Sequence, residues 1–112
     1  MGITQNCFIQ ARWKVSIGSN VTFGPGVSVC SESHNYSDLS KFIHEQGETR
    51  KGVVIEDGVW MGSGAIIIDG VTIDHNSVIA AGNVANKDFP QYSIAEGVQA
   101  KVLKMIVTNI IN

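Results

Sequence analysis

Histidine is the side chain best suited to taking a proton from a hydroxyl at neutral pH, because an unperturbed imidazole titrates near pH ~6.5 and is then mostly free base. The sequence has three, His34, His44 and His75. Only His34 combines an outward position with the start of a stretch that breaks the order around it. An isolated loop histidine is ordinarily a solvated side chain, so its neighbours must decide its role. As a three-histidine zinc site the set fails on spacing, ten residues and then thirty-one, with no close pair. Cys30 lies four residues before His34, but nothing nearby marks it as an activated thiolate nucleophile. Cys7 falls on an inward small-residue position, and both cysteines read as reduced, packed thiols.

The elements that would position His34 are written in sixes. From residue 55 to 84 each unit opens with a large aliphatic residue: Ile55, Met61, Ile67, Ile73 and Ile79. The fourth position is Gly58, Gly64, Gly70, Asn76 or Gly82, the residue types that reach positive φ most cheaply. The fifth, occupied by Val59, Ala65, Val71, Ser77 and Asn83, is mostly small or β-branched. A period of six fits neither helix nor simple strand alternation and indicates a solenoid of short strands joined by corners. Positions one and five then point to a shared interior, and the inward amide of Asn83 needs a partner there.

An earlier array has Ile17, Phe23 and Val29 as openers, with Asn20 and Gly26 at corners and Val21, Val27 and Ser33 in fifth positions. The register slips by two residues around residues 12–14 and resumes upstream at Ile9 and Ile3, with Cys7 in a fifth position. The first coil is therefore open at one end, and cover by the N-terminal residues or a partner subunit is expected. Between the arrays, residues 32–51 break the order: Val29 and Ile55 are twenty-six residues apart, two more than four units. This insertion should project as a loop, and long loops on rigid scaffolds are where function concentrates. After Val84 the repeat fades, Pro90 marks an exit, and residues 91–97 read as a connector or short strand. Val102, Leu103, Ile106, Val107 and Ile110, at spacings of three and four, suggest a short amphipathic helix on the last coil. Their β-branched content suits a strand nearly as well.

One hundred and twelve residues make one domain, 1–112, with the loop at 32–51 and a connector and tail at 90–112. A formal charge of −2 and the absence of any Lys/Arg run argue against nucleic acid or an anionic membrane as partner. There is no signal-peptide pattern and no apolar run near about eighteen residues. A soluble, cytoplasmic chain is the expectation.

The hexads resemble those of the hexapeptide-repeat acyltransferases. So do Ser33-His34-Asn35-Tyr36-Ser37-Asp38, Glu45-Gln46-Gly47, and Val54-Ile55-Glu56-Asp57-Gly58-Val59-Trp60-Met61-Gly62-Ser63. Ala81-Gly82-Asn83-Val84, Lys87-Asp88-Phe89-Pro90, Tyr92-Ser93-Ile94-Ala95-Glu96-Gly97 and Ala100-Lys101-Val102 follow in order, and the likeness is to the branch that acetylates sugars and polysaccharides. It implies an all-β fold, a left-handed parallel β-helix carrying one inserted loop and a short C-terminal helix. It also implies acetyl-CoA as co-substrate, a saccharide or other small-molecule acceptor, and a homotrimer with active sites between subunits.

Acetyl transfer from a thioester to a hydroxyl needs a base, donors for the developing oxyanion, and a site holding both reactants. The resemblance makes His34 the base, with Glu32, Asp38 or a backbone carbonyl to fix its tautomer. It gives the Ser63 and Ala81 amides to the thioester, Lys87 and Lys101 to the CoA phosphates, and Trp60 to a wall of the site; no residue is assigned to a metal. Each has a plainer reading as a small corner residue, a solvated lysine or a packing aromatic. The sequence departs from the branch by lacking an N-terminal helical segment, by Thr4 where an acceptor-holding asparagine is usual, and by Gln99 where proline is common. The expected activity is an acetyl-CoA-dependent O-acetyltransferase. The alternatives are a shortened, non-catalytic β-helix scaffold and a xenobiotic acetyltransferase.

Overall fold

A computed structural model describes residues 2–3, 6–11, 13–35, 37–96 and 101–105, with backbone only at 3, 95–96 and 101–105. In chain order the strands are β1 (Gly2–Ile3), β2 (Phe8–Gln10), β3 (Val15–Ile17), β4 (Thr22–Phe23) and β5 (Ser28–Cys30). The loop contributes β6 (Ser33–His34) and β7 (Glu48–Thr49), with a 3-10 turn at Ile43–Glu45 between them. Then come β8 (Val53–Ile55), β9 (Trp60–Met61), β10 (Ile66–Ile67), β11 (Thr72–Ile73), β12 (Val78–Ile79), β13 (Val84–Ala85), β14 (Ser93–Glu96) and β15 (Lys101–Met105). Among the described residues no helix is long and apolar enough to cross a membrane.

Successive strands join three sheets in rotation. The first has the order β1-β4-β9-β12-β14-β15, the second β13-β10-β5-β2 and the third β11-β8-β3. Among the described residues all pairings between coils are parallel; β15 runs antiparallel against β14, and the loop strands β6 and β7 pair antiparallel with each other. The chain is thus a three-sided β coil. Its first corner joins the first sheet to the second, its second corner the second sheet to the third, and its third corner the third sheet to the first.

The hexad accounts for this geometry residue by residue. Asn6, Asn20, Gly26, Gly58, Gly64, Gly70, Asn76 and Gly82 all have positive φ, so each fourth position supplies the left-handed residue a corner requires. Openers and fifth positions form the core: Phe23, Ile55, Met61, Ile67, Ile73 and Ile79 are buried, as are Val21, Val27, Val59, Ala65 and Val71. Two polar fifth positions, Ser77 and Asn83, are buried as well. Ser77 donates to the Pro90 carbonyl at 3.0 Å and accepts from the Ser93 amide at 3.2 Å. No buried side-chain nitrogen or oxygen among the described residues lacks a partner.

Regular coils are eighteen residues long, as from Ile55 to Ile73. The first is longer: Ile9 stacks on Val29, twenty residues on, which is the two-residue slip expected around residues 12–14. Ser31 closes over that slip, accepting from the Trp13 amide at 3.0 Å and donating to the Gln10 carbonyl at 2.9 Å. Cys7, Val15 and Ile17 are only partly buried in this coil, and Phe8, Ile9 and Trp13 are exposed.

Three expectations change. Ser33 is not inward: it is exposed and pairs with Thr49 at the start of the loop. Past Val84 the coil goes on in a shorter form, because Phe89 is buried and bridges Ile73, sixteen residues back. The expected C-terminal helix is absent from Lys101–Met105, which is a strand. This segment adds to the open edge of β14, where backbone pairing outweighs an apolar stripe of helical period. Residues 106–112, the rest of that expected helix, lie outside the described residues, as do Thr4 and Gln99.

Candidate active site

His34 stands at the base of the inserted loop. Ser33 and His34 pair with Thr49 and Glu48 in a short antiparallel ladder, extended by the Asn35 amide to the Gly47 carbonyl at 3.0 Å. The loop beyond is closed by one side chain. Gln46 donates to the carbonyls of Asp38 at 2.9 Å and Lys41 at 3.1 Å and accepts from the Asp38 amide at 3.0 Å. Asp38 in turn accepts from the hydroxyl and amide of Ser40, which holds its carboxyl below the ordinary carboxylate range.

A chain of alternating charge leads to the imidazole. Arg50 donates to Glu32 and to Glu48, both at 2.9 Å. Glu32 foremost, by hydrogen bond and charge, and then Glu48 push the Arg50 guanidinium above its ordinary value. Glu48 lies 4.0 Å from His34 Nδ1, close enough for charge interaction and beyond a direct hydrogen bond. Of the loop carboxylates, Glu48 is the one placed across the ladder from His34 and within 4.0 Å of its ring, while Asp38 and Glu32 are held by Ser40 and Arg50. The hexad period gives no signal for Glu48 or Arg50, because both lie inside the insertion and depend on its hairpin register.

His34 is shared by two hollows of different character. One, of 540 Å³, is lined by His34, Lys41, Phe42, Ile43 and His44, with the Phe42 and His44 rings stacked at 5.8 Å. The other, of 310 Å³, is lined by Ser33, His34, Asn35, Ser37, Thr49 and Lys51. The imidazole itself is more than half exposed and accessible from both.

Ser63 and Ala81 lie at the first corner, stacked one coil apart. The Gly82 amide donates to the Ser63 carbonyl and the Gly64 amide to the Pro25 carbonyl, each at 2.8 Å. The Ser63 and Ala81 amides themselves donate to no acceptor among the described residues, and both residues are exposed. The edge there is bare because Gly62 precedes Ser63. A Cβ at Gly62 would stand 2.6 Å from the Ala81 nitrogen, and one at Gly24 would stand 2.7 Å from the Ser63 nitrogen. The equivalent residue on the preceding coil is Pro25, which has no N–H to offer.

Trp60 is 54% exposed on the outer face of the first sheet, between Thr22 and Val78, on the strand that leads into this corner. Lys87 is exposed at the second corner, next to Asp88, whose carboxylate accepts from the Thr72 amide at 2.7 Å. The Lys101 backbone pairs with Glu96 in β15, and its side chain lies outside the described residues. His75 is remote from these groups, at the third corner, paired with Asp74 at 2.8 Å and packed edge-on against Tyr92. The fold therefore puts His34 and Lys87 at one corner and the free amides of Ser63 and Ala81 at another.

No protein-family model matches the chain. The galactoside O-acetyltransferase of Lactococcus lactis is 39% identical over 93 residues, covering 82% of this chain and 44% of the relative. Among solved structures, a galactoside acetyltransferase in complex with coenzyme A superposes with a TM-score of 0.81 at 35% identity, covering 89% of this chain and 49% of that one. A hexapeptide-repeat acetyltransferase of Vibrio cholerae complexed with acetyl coenzyme A gives 0.72 at 27% identity, over 93% of this chain and 67% of that one. The chain spans about half the length of the curated relatives it matches. With hexads, corners and stacked sheets continuous through the match, this chain belongs to the hexapeptide-repeat acetyltransferases.

Proposed function

We propose that this chain forms the catalytic coil of an acetyl-CoA-dependent O-acetyltransferase, with His34 as general base and a carbohydrate or similar hydroxyl compound as acceptor. The observation that carries the reading is the pair of Ser63 and Ala81 amides, which have no acceptor among the described residues, on a corner of a fold shared with a CoA-bound galactoside acetyltransferase. In this reading the left-handed sense of the coil is also taken from the family.

His34 takes the hydroxyl proton as the acceptor oxygen attacks the thioester carbonyl. The carbonyl oxygen gains negative charge, and the Ser63 and Ala81 amides offer N–H donors that cost no reorganisation. Collapse breaks the carbon–sulfur bond, and the imidazolium returns its proton to the CoA thiolate. Glu48, braced by Arg50, stands 4.0 Å from the ring that carries the proton between these steps. Lys87 and Lys101 meet the CoA phosphates, and Trp60 walls the approach to the donors.

The two corners require a second copy of the chain. A side of the coil is about four residues of strand, roughly 13 Å, whereas reacting atoms must come within about 3.5 Å. A homo-oligomer, a trimer by family likeness, brings the His34 loop of one subunit to the first corner of another. Leu39, Phe42 and Ile43, at 97%, 73% and 55% exposure on that loop, are apolar surface that such a neighbour would cover.

The test is calorimetric titration of the intact oligomer with acetyl-CoA, followed by thiol release with a panel of saccharides. Acetyl-CoA is expected to bind, and His34→Ala to lose turnover by about 10²- to 10⁴-fold while binding survives. No binding would leave the non-catalytic scaffold reading. Loss of binding in His34→Ala would mean that the histidine holds cofactor instead of moving a proton.

A further inference from the structure

The inserted loop leaves the coil at Ser31 and Glu32 and must return in register at Val53. Its return is gripped by the coil above. The Asp69 carboxylate accepts from two amides: the single Lys51 N–H is shared between its two oxygens at 2.9 and 3.0 Å, and the Gly52 N–H reaches Oδ1 at 2.8 Å. The Gly70 amide donates back to the Gly52 carbonyl at 2.8 Å. Successive amides converging on one anion form a backbone nest, which needs a left-handed residue, and Gly52 supplies it with φ of +99°. The coil below completes the clamp through the Val53 amide to the Lys14 carbonyl at 2.9 Å. A Cβ at Gly52 would stand 3.0 Å from that carbonyl oxygen, so the nest has no room for another residue.

One residue before the nest stands Arg50, the guanidinium that joins Glu32 to Glu48, and Glu48 is the residue opposite His34. We propose that Asp69 is a positioning residue for His34: its carboxylate grips the Lys51 and Gly52 amides and so sets the register of β7, Glu48 and the imidazole. The proposal rests on the reading of His34 as the base. Asp69 touches neither of the His34 hollows, and its action is carried by backbone. Two charge-assisted amide donors on one carboxylate hold the backbone itself, whereas the Arg50 ion pairs join side chains only, so this is the anchor whose removal shifts the register.

Asp69→Ala and Asp69→Asn in the intact oligomer test it. Asp69→Ala is expected to lower kcat about ten- to hundredfold, as small misplacements of a catalytic group do, with KM for acetyl-CoA unchanged. Its Lys51 and Gly52 amides lose protection from hydrogen exchange, and the His34 ring resonances shift. Asp69→Asn keeps one acceptor oxygen and recovers part of kcat, which also guards against an unfolded alanine variant. Unshifted His34 resonances or an unchanged kcat, with protection at Lys51 and Gly52 lost, would overturn the coupling. A parallel rise of KM for acetyl-CoA would overturn it too, since it would mean general loosening. If the wild-type chain shows no turnover, the base reading fails, and the ring resonances still decide whether Asp69 governs His34.

Discussion

Replacing Ser63 by proline deletes one N–H from the first corner and leaves the corner itself nearly intact. The reason is Gly24-Pro25-Gly26, which stacks directly on Gly62-Ser63-Gly64. The third residues of the two triplets have φ of +74° and +72°, and both first residues donate to the coil above at 2.7 Å. A proline already occupies this backbone, after a glycine and before a left-handed glycine. In Ser63→Pro the coil loses the exposed hydroxyl bond to the Pro25 carbonyl at 3.1 Å, worth at most about 1 kcal/mol. Against that stands a gain of about 0.4–1 kcal/mol from the stiffer unfolded chain. Stability should therefore stay within about 1 kcal/mol of wild type, a few degrees in Tm for a chain this size. Loss of one preorganised donor to a developing oxyanion costs about 2.7–4 kcal/mol, or roughly 10²–10³ in kcat. Steady-state thiol release gives kcat, thermal denaturation gives stability, and titration with unacetylated CoA checks that the cofactor still docks. Ser63→Ala, which keeps the N–H, separates the hydroxyl's share from the amide's. A folded Ser63→Pro enzyme with wild-type kcat would refute the donor role of this corner.

Two further outcomes follow from packing and charge. Gly62→Ala puts a Cβ 2.6 Å from the Ala81 nitrogen, a rigid backbone atom, so calorimetry should record a loss of about 1–3 kcal/mol or more; an unchanged Tm would mean that the coils spread freely. Asp38 is held below its ordinary 3.8 by the hydroxyl and amide of Ser40, so its contribution to loop order is complete above 3.8 and is lost as pH falls through the lower folded value. The protection factor of the Ser40 amide should be flat from neutral pH down to about that point, and protection already gone near pH ~5 would contradict the assignment.

The hexad made most of the coil readable because its constraint is local and repeated. A residue able to reach positive φ every sixth position gives a corner, and a large apolar residue two places after a small one fills the space behind it. Asn20, Gly58 and Asn76 were legible as corners and Phe23, Ile67 and Val71 as core before any contact was known. The two-residue slip near Trp13 could be counted, and so could the break at Glu32. The tail was ambiguous, since Val102 and Leu103 satisfy a helical stripe and a strand equally, and the free edge of β14 decided for the strand.

The sequence by itself determined the period, the corners, the inward faces and the place where the order breaks, with His34 at its edge. It offered Glu32, Asp38 or a backbone carbonyl as the partner of that histidine, whereas the hairpin register across Gly47 brings up Glu48, fourteen residues away in the chain. It could not disclose that Asp69, thirty-five residues on, grips the end of the same loop. The Ser63 and Ala81 amides and His34 occupy different corners for a similar reason. Corners are assigned by counting turns around the coil, and what meets across them is decided only when separate turns stack.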